Sequence, residues 1–170
     1  MSDADTPEIA RTLTLPVRVT MQCEQAPNAW ESWRHAPVEV ALDDGSLPPG
    51  AHPLRDDGRV RLVLHTGLSL LLHADEGEGY HLNLTSGAPV WFVMWRPDDE
   101  DPSQATPALV TLSYNEAGRL LDAQERVDNL PLPAEVVDML QAFTATHYRD
   151  RKSTRLNSSH SQQSRMPSSA

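Results

Sequence analysis

Short segments of alternating apolar and polar residues, each closed by glycine, proline or aspartate, follow one another between residues 13 and 114. That punctuation restricts the chain to antiparallel β architecture, because connections of two to five residues close hairpins but are too short for βαβ crossovers. The pattern predicts strands over residues 15–22, 38–42, 59–65, 68–74, 80–85, 89–95 and 108–114. Between them lie Asp43-Asp44-Gly45, Pro48-Pro49-Gly50, Asp57-Gly58, the two-residue Thr66-Gly67, Glu76-Gly77-Glu78-Gly79 and Ser86-Gly87, all turn chemistry.

Beyond Tyr114 the periodicity becomes helical. Residues 115–122 predict a short helix weakened by Gly118, residues 125–131 a linker, and residues 133–147 a longer helix with proline in its first turn. Val136, Met139, Leu140 and Phe143 recur there at three- and four-residue spacing, the signature of one buried face. Residues 97–107 are expected to form an acidic surface loop. The expected fold is mainly β (α+β): an antiparallel sheet or partly open barrel capped by C-terminal helices. Residues 1–12 are expected to be disordered and residues 13–149 to form a single β-rich domain.

The order of residues 150–160, DRKSTRLNSSH, is what a widely used sequencing-library adapter encodes in translation, and residues 161–170 fit its continuation. Residues 150–170 are therefore read as a disordered artefactual tail and kept out of the functional argument. Without its Arg151, Lys152, Arg155 and Arg165 and its Asp150, ten basic residues face twenty-three acidic ones, a formal charge of −13 in place of −10. Such a charge argues against nucleic acid as a partner, since affinity for phosphate backbones comes from lysine and arginine. Cys23 is the only cysteine, so one chain forms no internal disulfide. The start, MSDADTPEIART, lacks the basic and apolar regions of a secretory signal, and no apolar run is long enough to span a bilayer. A cytoplasmic location is expected.

Two groups of side chains are candidates for function. His65, His73 and His81 fall eight residues apart in three successive predicted strands, where one solvated face of a meander would gather them into a metal site. Polar residues alternate outward on any half-buried sheet, however, and no metal or other cofactor is expected. Trp91 and Trp95 share one face of the strand over 89–95, whose opposite face, Val90-Phe92-Met94, is equally apolar. A strand apolar on both sides needs cover, from the C-terminal helix or from a partner protein. Trp30 and Trp33 lie in the segment AWESWRH ahead of the second strand. Cys23 and the distant His35 are read as a structural cysteine and an unrelated histidine. The run Asp98 to Asp101 is read as a solvated acidic loop, without the spacing of a calcium site. No catalytic residues are identified: phosphate-loop, nucleophile-elbow and zinc-protease motifs are all missing.

The segment VTLSYNEAGRLLDAQERVDNLPLPAEVVDMLQAFTATHYR, together with Trp30 to Arg34 (W-x-x-W-R) and the strand V-W-F-V-M-W-R, resembles the bacterial family DUF3305, a domain of unknown function. The resemblance covers residues 15–149. It implies genes placed beside those for molybdenum-dependent formate dehydrogenases. A non-catalytic accessory role in biogenesis or assembly of such an enzyme follows, with a dehydrogenase subunit or maturation factor as partner. The alternatives are handling or biosynthesis of the molybdenum cofactor (molybdopterin), and a protein-interaction module. Some relatives carry the label molybdopterin-guanine dinucleotide biosynthesis protein A. A nucleotidyltransferase of that kind needs a glycine-rich, Arg/Lys-bearing loop near its start, and residues 1–50 contain none.

Overall fold

The computed structural model describes residues 11–25 and 33–148. Seven strands form two antiparallel sheets. They are β1 (Thr12–Gln25), β2 (Trp33–Leu42), β3 (Gly50–Asp56), β4 (Val60–His73), β5 (Val90–Pro97), β6 (Ala105–Thr111) and β7 (Arg126–Pro131). The order is β2-β1-β4-β3 in the larger sheet and β6-β5-β7 in the smaller. Three helices complete the chain: α1 (Gly77–Leu84), entered through a 3-10 turn at Ala74–Glu76, α2 (Tyr114–Asp122) and α3 (Ala134–His147). β4 lies beside β6 and β2 beside β7 without joining the sheets into a closed barrel.

One core fills the space between the sheets. Val17, Val19 and Met21 of β1 and Leu70 and Leu72 of β4 meet Trp91, Val93 and Trp95 of β5. Val136, Leu140 and Phe143 of α3 complete it, the face anticipated from helical spacing, although Met139 remains partly exposed.

Several predicted boundaries shift, each for a local reason. The hairpin turn expected at Thr66-Gly67 is not a turn. β4 runs through it as one strand, with a register shift opposite Val17 and Val19 and Gly67 at φ +88°. An added Cβ at Gly67 would sit 2.6 Å from the Pro49 Cβ, so the site demands glycine twice over. The bulge also reverses the alternation. Leu68, Leu70 and Leu72 pair with Val17, Leu15 and Leu13, whereas beyond it His65, Val63 and Arg61 pair with Val19, Met21 and Cys23. Directly opposed residues share a face, so His65 belongs to the inner side and Leu62 and Leu64 to the outer, the reverse of the expected assignment.

The strand expected over residues 80–85 is helix α1. Its buried residues, Gly77, Gly79, Tyr80 and Asn83, follow helical spacing, and Leu82 is exposed. Tertiary contacts override the alternation. A Cβ at Gly79 would collide with the Ser113 Oγ, which caps α2 by accepting the Glu116 N–H and donates to Glu76. Asn83 clamps two strand ends, donating to the carbonyls of Val90 and Leu112 and accepting the Val90 N–H. The linker expected over 125–131 is largely β7, and β3 occupies a stretch read as loop. β6 claims the end of the expected acidic loop. β1 already begins at Thr12, inside the segment expected to be disordered; residues 1–10, Trp30 and residues 150–170 lie outside the described residues. No described helix is long and apolar enough to cross a membrane.

Candidate functional site

The histidines singled out in the sequence are not brought together. His65 and His73 occupy one strand, eight residues and therefore roughly 25 Å apart. His81 lies in α1, its ring 5.2 Å from that of Tyr148. Among the described residues no group of three or more histidine, cysteine or carboxylate side chains is placed to hold a metal ion. Trp91 and Trp95 are covered from within the chain, at 1% and 8% exposure. Trp91 belongs to the core shared with β1 and the C-terminal helix, whereas Trp95 is covered by His35, Arg126 and Asp128 and keeps a small part of its surface on the lining of a cleft.

A cleft of about 770 Å³ instead opens where β1 and β2 meet β5 and β7. Gln22, Glu24, Trp33, Arg34, His35 and Ala36 line one wall, and Trp95, Pro97, Pro102 and Arg126 the other. Strand pairing builds its base. The β1–β2 register sets Cys23 directly opposite His35, so two residues twelve apart become cross-strand neighbours on the inner face. The His35 Nε2 lies 2.8 Å from the Pro102 carbonyl oxygen, which only accepts, so Nε2 carries the hydrogen. Nδ1 is then free to accept the Cys23 S–H, at 3.0 Å.

This pair is a hydrogen bond between neutral groups. Burial pushes the Cys23 thiol above its ordinary value, against the opposing pull of the Arg61 guanidinium and the Ala105 backbone N–H. Burial likewise pushes His35 below its ordinary value; the Pro102 hydrogen bond opposes this and Arg126 adds to it. With the thiol displaced upward and the imidazole downward, proton transfer from sulfur to nitrogen is disfavoured.

Aromatic rings and arginines frame the pair. The His35 ring meets Trp95 edge-on with centroids 5.8 Å apart. The Trp95 Nε1–H donates to Asp128 Oδ2 at 2.6 Å, and the Arg126 guanidinium lies 5.6 Å over the same indole. Across the cleft, Arg61 lies 5.7 Å from the Trp33 ring centre, pairs with Asp56 and donates to Ser103. Two tryptophans, each with an arginine over it, thus flank a neutral histidine.

The comparison of the sequence with family models agrees with the resemblance read from its motifs. The model for the protein of unknown function DUF3305 matches residues 16–156. The chain belongs to the DUF3305 family. Neither the curated proteins nor the solved structures contain a match. The family match spans every described element of both sheets apart from the start of β1. DUF3305 membership thus includes the cleft and all of its lining residues. The first expected strand ends at residue 22 and the second begins at residue 38, short of the observed β1 and β2. Both members of the pair fell outside. Extending the apolar alternation Val17-Val19-Met21 by two residues reaches Cys23, the one signal that would have placed it on the inner face.

Proposed function

We propose that this protein is a non-catalytic accessory factor in the biogenesis or assembly of a molybdenum-dependent formate dehydrogenase, and that it works by binding through the cleft at the joint of its sheets. The observation carrying the binding part is the state of Cys23 and His35. Burial disfavours the charged forms of both, while the groups around them, Trp33, Trp95, Arg34 and Arg126, are of the residue types that dominate recognition surfaces. The dehydrogenase link rests on the gene neighbourhood that the family resemblance implies. The partner is a dehydrogenase subunit or a maturation factor.

Affinity capture from a host expressing the gene at native length tests this reading. A dehydrogenase subunit or maturation factor is expected in the eluate, and a deletion strain is expected to lose formate oxidation. Recovery of neither, with normal formate oxidation after deletion, would overturn it. Cys23→Ser in the same strain separates binding from catalysis: formate oxidation should persist, because the thiol takes no chemical part.

A further inference from the structure

Arg126 is an exposed guanidinium at the edge of the cleft. Arg11, Arg55, Arg61, Arg96 and Arg119 each hold a carboxylate within 4.0 Å. Arg126 forms no such pair among the described residues, although the Arg96 hydrogen bond and charge, helped by the charge of Arg126, hold the neighbouring Glu125 carboxyl below its ordinary value. Arg96 holds Glu125 at 2.7 Å, and the Trp95 indole holds Asp128 at 2.6 Å. The guanidinium lies 5.6 Å from the Trp95 ring centre, a cation–π contact that uses none of its N–H donors, and an arginine fork suits bidentate capture of a carboxylate. Beside it, His35 and Trp95 present an apolar, edge-to-face wall, and Trp33, Pro97 and Pro102 extend the apolar lining.

We propose that the cleft receives a ligand with a single carboxylate on a flat apolar body, the carboxylate held by Arg126 and the body lying against His35, Trp95 and Trp33. The inference rests on the reading of the cleft as a binding site. Charge decides the number of anionic groups. The chain carries a net charge of −10, and Glu24 lines the same cleft. Screening acts over a Debye length of about 8 Å at physiological ionic strength, so one carboxylate in contact with Arg126 experiences chiefly that guanidinium. Further anionic groups gain less, because Glu24 stands in the same lining and the chain as a whole is negative.

The carboxylate has two sources, a small organic acid or the free C-terminus of a protein chain, and two probe pairs separate them. Naphthalene-2-carboxylate is titrated against its neutral carboxamide, and a tripeptide ending in phenylalanine is titrated free and C-terminally amidated. Binding to the full chain is followed by tryptophan fluorescence and by the Trp95 indole N–H resonance. At least one carboxylate is expected to bind tenfold or more tightly than its amide and to shift that resonance; preference for naphthoate assigns a small acid, preference for the free peptide a chain end. Arg126→Gln should abolish the preference, and Arg126→Lys should restore only part of it, because lysine keeps the charge and loses the fork. Equal binding of acid and amide in both pairs overturns the proposal, as does a preference that survives Arg126→Gln. If carboxylates show no preference while the host protein still captures dehydrogenase components, this inference fails and the accessory role stands.

Discussion

At the scale of single residues, environment decides what each side chain does. Trp91 and Trp95 are equally apolar in sequence, yet only Trp95 has a charged acceptor, Asp128. Asp128→Ala leaves that indole N–H without its partner and is expected to destabilise the fold by about 1–3 kcal/mol, read as a lower denaturant midpoint with an altered Trp95 indole resonance. His35 and His65 both lie below the ordinary histidine value of 6.5, burial being the main cause for each and the neighbouring His52 a second one for His65. The folded state therefore resists protonation that the unfolded chain accepts. Stability is fully present above about pH 6.5 and falls as pH drops below it, toward the lower folded values. Denaturation at pH 7.5 and 5.5 should show this loss, and His35→Gln with His65→Gln should reduce it. None of this was legible in the residue types alone, since Cys23 and His35 acquire their relation only through strand register.

Among the elements, those whose signal was local were legible and those whose signal was a contact were not. The apolar runs at β1 and β5 and the helical spacing of α3 were read correctly because each carries its own burial pattern. α1 was not, because its glycines serve packing: Gly79 makes room for Ser113, and the alternation of Tyr80, Leu82 and Leu84 is incidental. β4 was split in two because a threonine–glycine pair has the chemistry of a turn, while here it forms a bulge inside a strand. Two glycine substitutions distinguish these roles. Gly67→Ala forces a side chain into a positive-φ position and against Pro49, and should cost about 1–3 kcal/mol. Gly118→Ala, in the middle of α2 with open space for its Cβ, should stabilise by about 0.5–1 kcal/mol. Thermal or chemical unfolding of the pair reads both signs.

For the whole molecule, the decisive feature is a single core shared by both sheets and the C-terminal helix. Leu140 is fully buried in it, and Leu140→Ala should cost about 2–5 kcal/mol. Because the core is continuous, tryptophan fluorescence and far-ultraviolet circular dichroism should report the same lowered midpoint; a loss confined to the helix signal would mean that α3 packs as a separate unit. The order of residues by itself determined the class of fold, the antiparallel pairing, the two C-terminal helices and the family, because alternation, turn chemistry and helical spacing are properties of neighbouring residues. Only the tertiary structure decided which face of β4 turns inward, that Trp91 is covered from within while Trp95 borders a cleft, and that His65, His73 and His81 stay apart. It also decided that Cys23, His35, Trp95 and Arg126 stand together. Those outcomes depend on register, a one-residue bulge and the meeting of two sheets, and none of these is encoded by any short stretch of the chain.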